Sequence, residues 1–147
     1  MFLNILLSGL LATLIMSGLI MVARAIGIKT LEKSTPLMLG QMIFGRESRG
    51  LLPGAIGIFW YLLNGVVLGI IFYYLAAAGI IFKLTVGSAI VFGIILWLLF
   101  NLLFLPITGQ GIFGSRTQKG ILIVGAASLI AYAVYGFSLG YFLSVLL

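Results

Sequence analysis

Apolar residues run along this chain in four long blocks, and most polar and charged residues gather between them. The blocks cover about 2–22, 53–75, 84–105 and 120–145. Each supplies the roughly 20 apolar residues that a helix needs to cross the hydrocarbon core of a bilayer. The pattern predicts an all-α membrane protein: four transmembrane helices in one domain over 1–147, with little chain left over. The one long connection, 23–52, contains a further apolar stretch, PLMLGQMIFG at 36–45, which is too short to span. A stretch of this length predicts a short interfacial or re-entrant helix in the first loop. Ser34 or Thr35 can cap its start, Pro36 suits its first turn and Gly45 ends it.

Composition narrows the picture. The chain is 63% hydrophobic and 7% charged, with a mean hydropathy of +1.36. A water-soluble surface normally carries about a quarter charged residues. Cysteine and histidine are both absent. That removes a thiol nucleophile, a disulfide, an imidazole base and histidine-ligated haem or zinc from the chemistry of this chain. Glu32 and Glu47 are the only acids, and both fall in the first loop.

The net charge of +6 is distributed unevenly. Arg24, Lys29, Lys33, Arg46 and Arg49 lie between the first two blocks, and Arg116 and Lys119 between the last two. With four spans these connections share one side, and only Lys83 stands on the other. Basic loops stay in the cytoplasm, so the bias predicts a cell-membrane protein with both termini outside. The same seven cations are the candidate contacts to lipid headgroups. Arg24, at the end of the first block, is placed to snorkel to the interface. Nucleic-acid binding would need more basic surface than these loops offer. Ala23-x-Ala25 has the form of a signal-peptide cleavage site. No Lys or Arg precedes the apolar run, so the reading is an uncleaved helix.

Gly109-Gln-Gly-Ile-Phe-Gly114 matches the G-x-G-x-x-G of a dinucleotide-binding turn. That turn must follow a β-strand and open a helix, with an acid about 20 residues further on. Here the motif follows a membrane helix and no acid comes after it, so it reads as a flexible turn next to the membrane and not as a nucleotide site. It also pairs with Gly40-Gln-Met-Ile-Phe-Gly45 at five of six positions, and Tyr61-x-x-x-Gly65-x-x-Leu68-Gly69 pairs with Tyr132-x-x-x-Gly136-x-x-Leu139-Gly140. The offsets, 69 and 71, nearly agree. Two matches in one order predict a tandem duplication of a helical hairpin, closing into a four-helix bundle.

Lipid tails offer no hydrophobic reward for helix association, so close backbone approach has to supply it. Gly9 with Thr13 and Ser17, Gly65 and Gly69, Ala89 and Gly93, and Gly136 and Gly140 give every span a face of small residues. Whether these faces meet inside the chain or meet another subunit is open at this stage. Tyr61 and Tyr132 sit one turn before their glycines and would face each other across the pseudo-axis. Together with Asn64 and Asn101, amides inside spans, they form the candidate polar pocket. Buried hydroxyls and amides need partners, and interhelical hydrogen bonding is the simplest use of them. Trp97 reads as packing. Phe72, Tyr73, Tyr74, Tyr141 and Phe142 read as an aromatic belt at the outer interface.

The run VFGIILWLLFNLLFLPITGQGIFG resembles that of small four-helix bacterial and archaeal integral membrane proteins that form a domain of unknown function. Their pattern falls here on Phe92-Gly93, Trp97-Leu98, Pro106 and Gly109 to Gly114, and Met38-Leu39-Gly40 is similar to their short apolar segment. The resemblance implies the four-helix architecture and no activity. In that family a histidine commonly stands four residues before the glycine in the second and fourth helices. Those positions are Tyr61 and Tyr132 here, so any metal or haem capacity resting on such histidines is missing from this chain.

These readings lead to a non-catalytic membrane subunit, without cofactor, metal or nucleotide. Its partners would be lipids and the other subunits of a larger membrane complex of a respiratory or other energy-converting kind. The alternative is a small homo-oligomeric channel, transporter or lipid-binding bundle, built around Tyr61 and Tyr132.

Overall fold

The computed structural model describes residues 1–28, 34–45, 47–48, 50–79 and 83–147. Four helices are long and apolar enough to cross a membrane: Phe2–Ala25, Leu51–Ala77, Val86–Ile107 and Gly120–Leu146. They are called spans one to four below. Their ends agree with the hydropathy pattern to within a turn, and no strand occurs among the described residues. This is the all-α fold of a multi-pass membrane protein.

The short helix in the first loop runs Thr35–Phe44. Ser34 caps it by accepting the Leu37 N–H at 3.4 Å, and Pro36 sits in its first turn. Gly45 stops it at φ +101°, a conformation glycine reaches without strain. The helix lies directly on span two. A methyl on Gly40 would run into the Pro53 carbonyl, and one on Gly57 into that of Pro36. Its buried Met38 joins Leu105 of span three and Val124 of span four in a small apolar cluster at the loop end of the bundle.

Backbones come close between spans one and two, one and four, and three and four. The lateral order is therefore two, one, four, three. Spans two and three stand further apart and meet through large rings, Phe72 against Phe92 with centroids 5.3 Å apart. Phe72 is fully buried in the main core, which also holds Ile5, Leu139 and Leu143. Phe72 accordingly leaves the aromatic belt expected from its neighbours. Tyr74 and Tyr141 do face outward and are half exposed, with Tyr73 edge-on to Tyr74 and Phe142 edge-on to Tyr141.

The small faces make the close approaches. A Cβ on Gly9 would lie 3.0 Å from the Gly65 carbonyl oxygen and from Val66 Cα, and one on Gly69 2.9 Å from Gly9 Cα. Gly65 itself accommodates the Thr13 side chain. On the other side of the molecule Gly93 faces the Tyr132 carbonyl, Gly136 faces Ala89 and Ile90, and Gly140 faces Val86 and Ala89. All six glycines expected to pack are buried, and they pack within the chain. The two termini meet at one end of the bundle, where the Asn4 amide donates to the Leu146 carbonyl at 2.5 Å.

Candidate functional site

Polar side chains inside an apolar bundle are the places where chemistry could occur, and the structure gathers them in two groups. The first lies in the middle of the bundle. Tyr61 of span two stands beside the Ser17 hydroxyl of span one. Tyr132 and Tyr135 of span four lie near it. Tyr135 reaches across the bundle and donates its hydroxyl to the Gly65 carbonyl at 2.8 Å. Helix geometry explains the grouping. Tyr132 and Tyr135 are three residues apart on one face of span four, and Tyr61 comes from the diagonally opposite span. The Tyr132 ring also packs on Phe100, with centroids 5.4 Å apart.

The second group joins spans three and four. Asn101 is fully buried. Its amide donates to the Trp97 carbonyl at 2.8 Å and to the Ser128 hydroxyl at 3.2 Å. The Trp97 indole N–H is shared between the Gly125 carbonyl and Ser128 Oγ, both at 3.0 Å. Ser128 donates to the Val124 carbonyl at 2.7 Å. Here span three loosens to π pitch over Phe100–Phe104, and the Leu105 N–H reaches back five residues to the Phe100 carbonyl. Pro106 supplies the physical reason. It has no N–H to donate to Leu102, and its ring would press on that carbonyl, so a wider turn upstream relieves the clash. The Thr108 hydroxyl then covers the Phe104 and Leu105 carbonyls at 3.1 and 3.0 Å. The hydroxyl thus gives two carbonyls of the last turn a second donor, as suits a helix end next to a membrane.

The glycine-rich turn closes this end. Gly109, Gly111 and Gly114 all take positive φ, and Phe113 between them is left-handed at φ +51°. That twist folds the turn back so that Phe113 meets Trp97 edge-on at 5.4 Å. The Arg116 N–H bonds the Gln110 carbonyl at 3.0 Å. The turn is a plug resting on the ends of spans three and four. Its counterpart, Gly40 to Gly45, is helical up to Phe44. The two six-residue stretches therefore have different conformations despite their matching letters.

Of the four residues expected in a polar pocket, Tyr61 and Tyr132 come together. Asn101 belongs to the separate Trp97–Ser128 group. Asn64 belongs to neither, because it faces out of the bundle and is exposed. Tyr135 and Ser128 escaped the sequence reading. Tyr135 stands one position before Gly136, a detectable signal only once the helix phase is known. Arg24, Arg116 and Lys119 lie at the loop end, the last two exposed. Lys29, Lys33, Arg46 and Arg49, expected beside them at the headgroups, lie outside the described residues. Every buried side-chain nitrogen and oxygen among the described residues has a hydrogen-bond partner. An open recess of about 350 Å³, lined by Met1, Asn4, Tyr73, Leu84, Leu146 and Leu147, sits at the end that carries the termini.

Residues 3–147 match the model of a family described as a family of unknown function, DUF6789. Neither the curated proteins nor the solved structures contain a match to the chain.

Proposed function

The chain belongs to the DUF6789 family, and we propose that it is a non-catalytic integral membrane subunit that packs against a larger membrane complex. One observation carries this reading: the centre of the bundle is filled. Phe72, Phe92, Tyr135 and Leu139 occupy it, and the phenol of Tyr135 is spent on a backbone carbonyl. A substrate would have to displace packed rings or glycine crossings to pass. Meanwhile the outer faces of all four spans carry exposed large apolar side chains. The basic loops belong in the cytoplasm with both termini outside, following the charge bias. The seven loop cations serve anionic headgroups. The two glycine crossings descend from one duplicated hairpin, on the strength of the matched Tyr-x-x-x-Gly-x-x-Leu-Gly runs. An energy-converting complex is the class of partner that a small subunit without chemistry of its own suits.

Reconstitution tests the reading. Purified protein in liposomes should pass neither protons nor K⁺ above the rate of empty vesicles, followed with pH- and K⁺-sensitive dyes. Flux that Tyr61→Phe or Tyr132→Phe removes would overturn it in favour of a small homo-oligomeric channel or carrier. The specific observation behind that second reading is the grouping of Tyr61, Tyr132 and Tyr135 in mid-bundle.

A further inference from the structure

Asn64 is the middle residue of the 27-residue span two. It is roughly 20 Å from either helix end, too far for a short amide side chain to reach water. It faces out of the bundle and makes no hydrogen bond to any described residue. A primary amide has two donors and an acceptor to satisfy, and lipid tails offer nothing to any of them.

Its neighbours on that face are informative. Trp60, Asn64, Val67, Ile71 and Tyr74 are all exposed, and their spacing is four, three, four, three. That is the heptad spacing of a coiled-coil seam, running along the face of span two turned away from Gly65 and Gly69. Span two is also the span least covered by the rest of the chain, although the short helix lies on its loop end.

We propose that this seam is a homodimer interface, in which span two of one chain packs in parallel against span two of a second copy and the two Asn64 amides bond each other. The occupant follows from the chemistry. An amide is donor and acceptor at once, so two copies related by a twofold axis along the membrane normal satisfy each other at equal depth with no third component. A single core asparagine in an otherwise apolar heptad seam fixes a parallel, in-register dimer. The inference goes beyond the subunit role and holds whether or not a larger complex binds the remaining faces.

The chain has no cysteine, so single-cysteine variants report cleanly. Trp60→Cys, Asn64→Cys, Val67→Cys and Ile71→Cys, oxidised in native membranes, should give disulfide-linked dimers of the chain. Leu98→Cys and Ile130→Cys, exposed on spans three and four, should not. Asn64→Leu should weaken dimerisation about 3- to 30-fold, read as the detergent dilution that halves the dimer, while Asn64→Gln keeps most of it. Equal cross-linking at seam and control positions would overturn the proposal. So would capture of a different protein by Asn64→Cys, or an Asn64→Leu dimer as tight as the parent. Failure of the subunit reading would show instead as ion flux from reconstituted protein, which leaves the cross-linking pattern untouched.

Discussion

The two hairpins of this protein cross by one device and are secured by different ones. In each, glycines four residues apart on the later helix admit a small-residue face of the earlier one: Gly65 and Gly69 against Gly9 and Thr13, Gly136 and Gly140 against Ala89 and Gly93. At the loop end they diverge. The first hairpin is buttressed by a capped, short apolar helix, Thr35–Phe44, lying on span two. The second is tied by a hydrogen-bonded knot, Trp97–Asn101–Ser128, at a π turn, with Phe113 plugging the end. Small faces suffice to bring helices together in lipid. What fixes their ends depends on whatever the intervening chain supplies, here a helix in a long loop and a glycine plug in a short one.

The comparison breaks first at Gly136. Its Cβ would meet the backbone of Ala89 and Ile90, which cannot move without parting the helices. Gly136→Ala should lose about 3 kcal/mol or more, at the upper end of overpacking costs. Gly65→Ala should lose less, about 2 kcal/mol, because the obstacle there is the Thr13 side chain, whose Oγ1 and Cγ2 can rotate away although its Cβ cannot. Thr13→Ala should recover part of the Gly65 loss and none of the Gly136 loss. Reversible unfolding in mixed SDS micelles, followed by ellipticity, measures all three. If the two alanine variants fall equally, the crossings do not differ as described.

Asn101→Leu comes next. It removes the amide that satisfies the Trp97 carbonyl and strips a partner from Ser128, for about 1–2 kcal/mol. The change should also alter Trp97 fluorescence while leaving exposed Trp60 as it was, which separate Trp60→Phe and Trp97→Phe backgrounds resolve. A loss that appears in the Trp60 signal instead would contradict the local knot. Gly111→Ala, at φ +77° and ψ 168°, should cost about 1–2 kcal/mol, because only glycine adopts that backbone readily and the methyl would press on Ser115 Oγ. Tyr135→Phe is the mildest change. Losing one interhelical hydrogen bond to Gly65 should cost about 0.6 kcal/mol. A cost of several kcal/mol there would mean that the phenol organises the whole centre.

The spans and the short helix were readable from the chain because each rests on a local signal: unbroken apolar length, or Ser34, Pro36 and Gly45 at fixed places. Helix phase was not readable. In an all-apolar helix nothing marks which side faces in, so Phe72 looked like a belt residue and Asn64 like a pocket residue, and both point the other way. The π turn leaves no mark in Phe-Asn-Leu-Leu-Phe beyond the proline that follows it. The glycine turn follows a helix, as its place in the chain indicated, whereas its likeness to Gly40–Gly45 in letters gave no likeness in conformation. Of the mid-bundle cluster, Tyr61 and Tyr132 were visible through their matched glycines. Tyr135 needed the fold.

The central claim is that a bundle with a filled interior acts through its outer faces. The most direct test is gentle extraction from the native membrane, separation on a native gel and identification of co-migrating proteins by mass spectrometry. The account predicts a stoichiometric larger membrane partner that stays bound through mild detergent and leaves in harsh detergent. A chain that migrates free of any other protein under every extraction condition would contradict it.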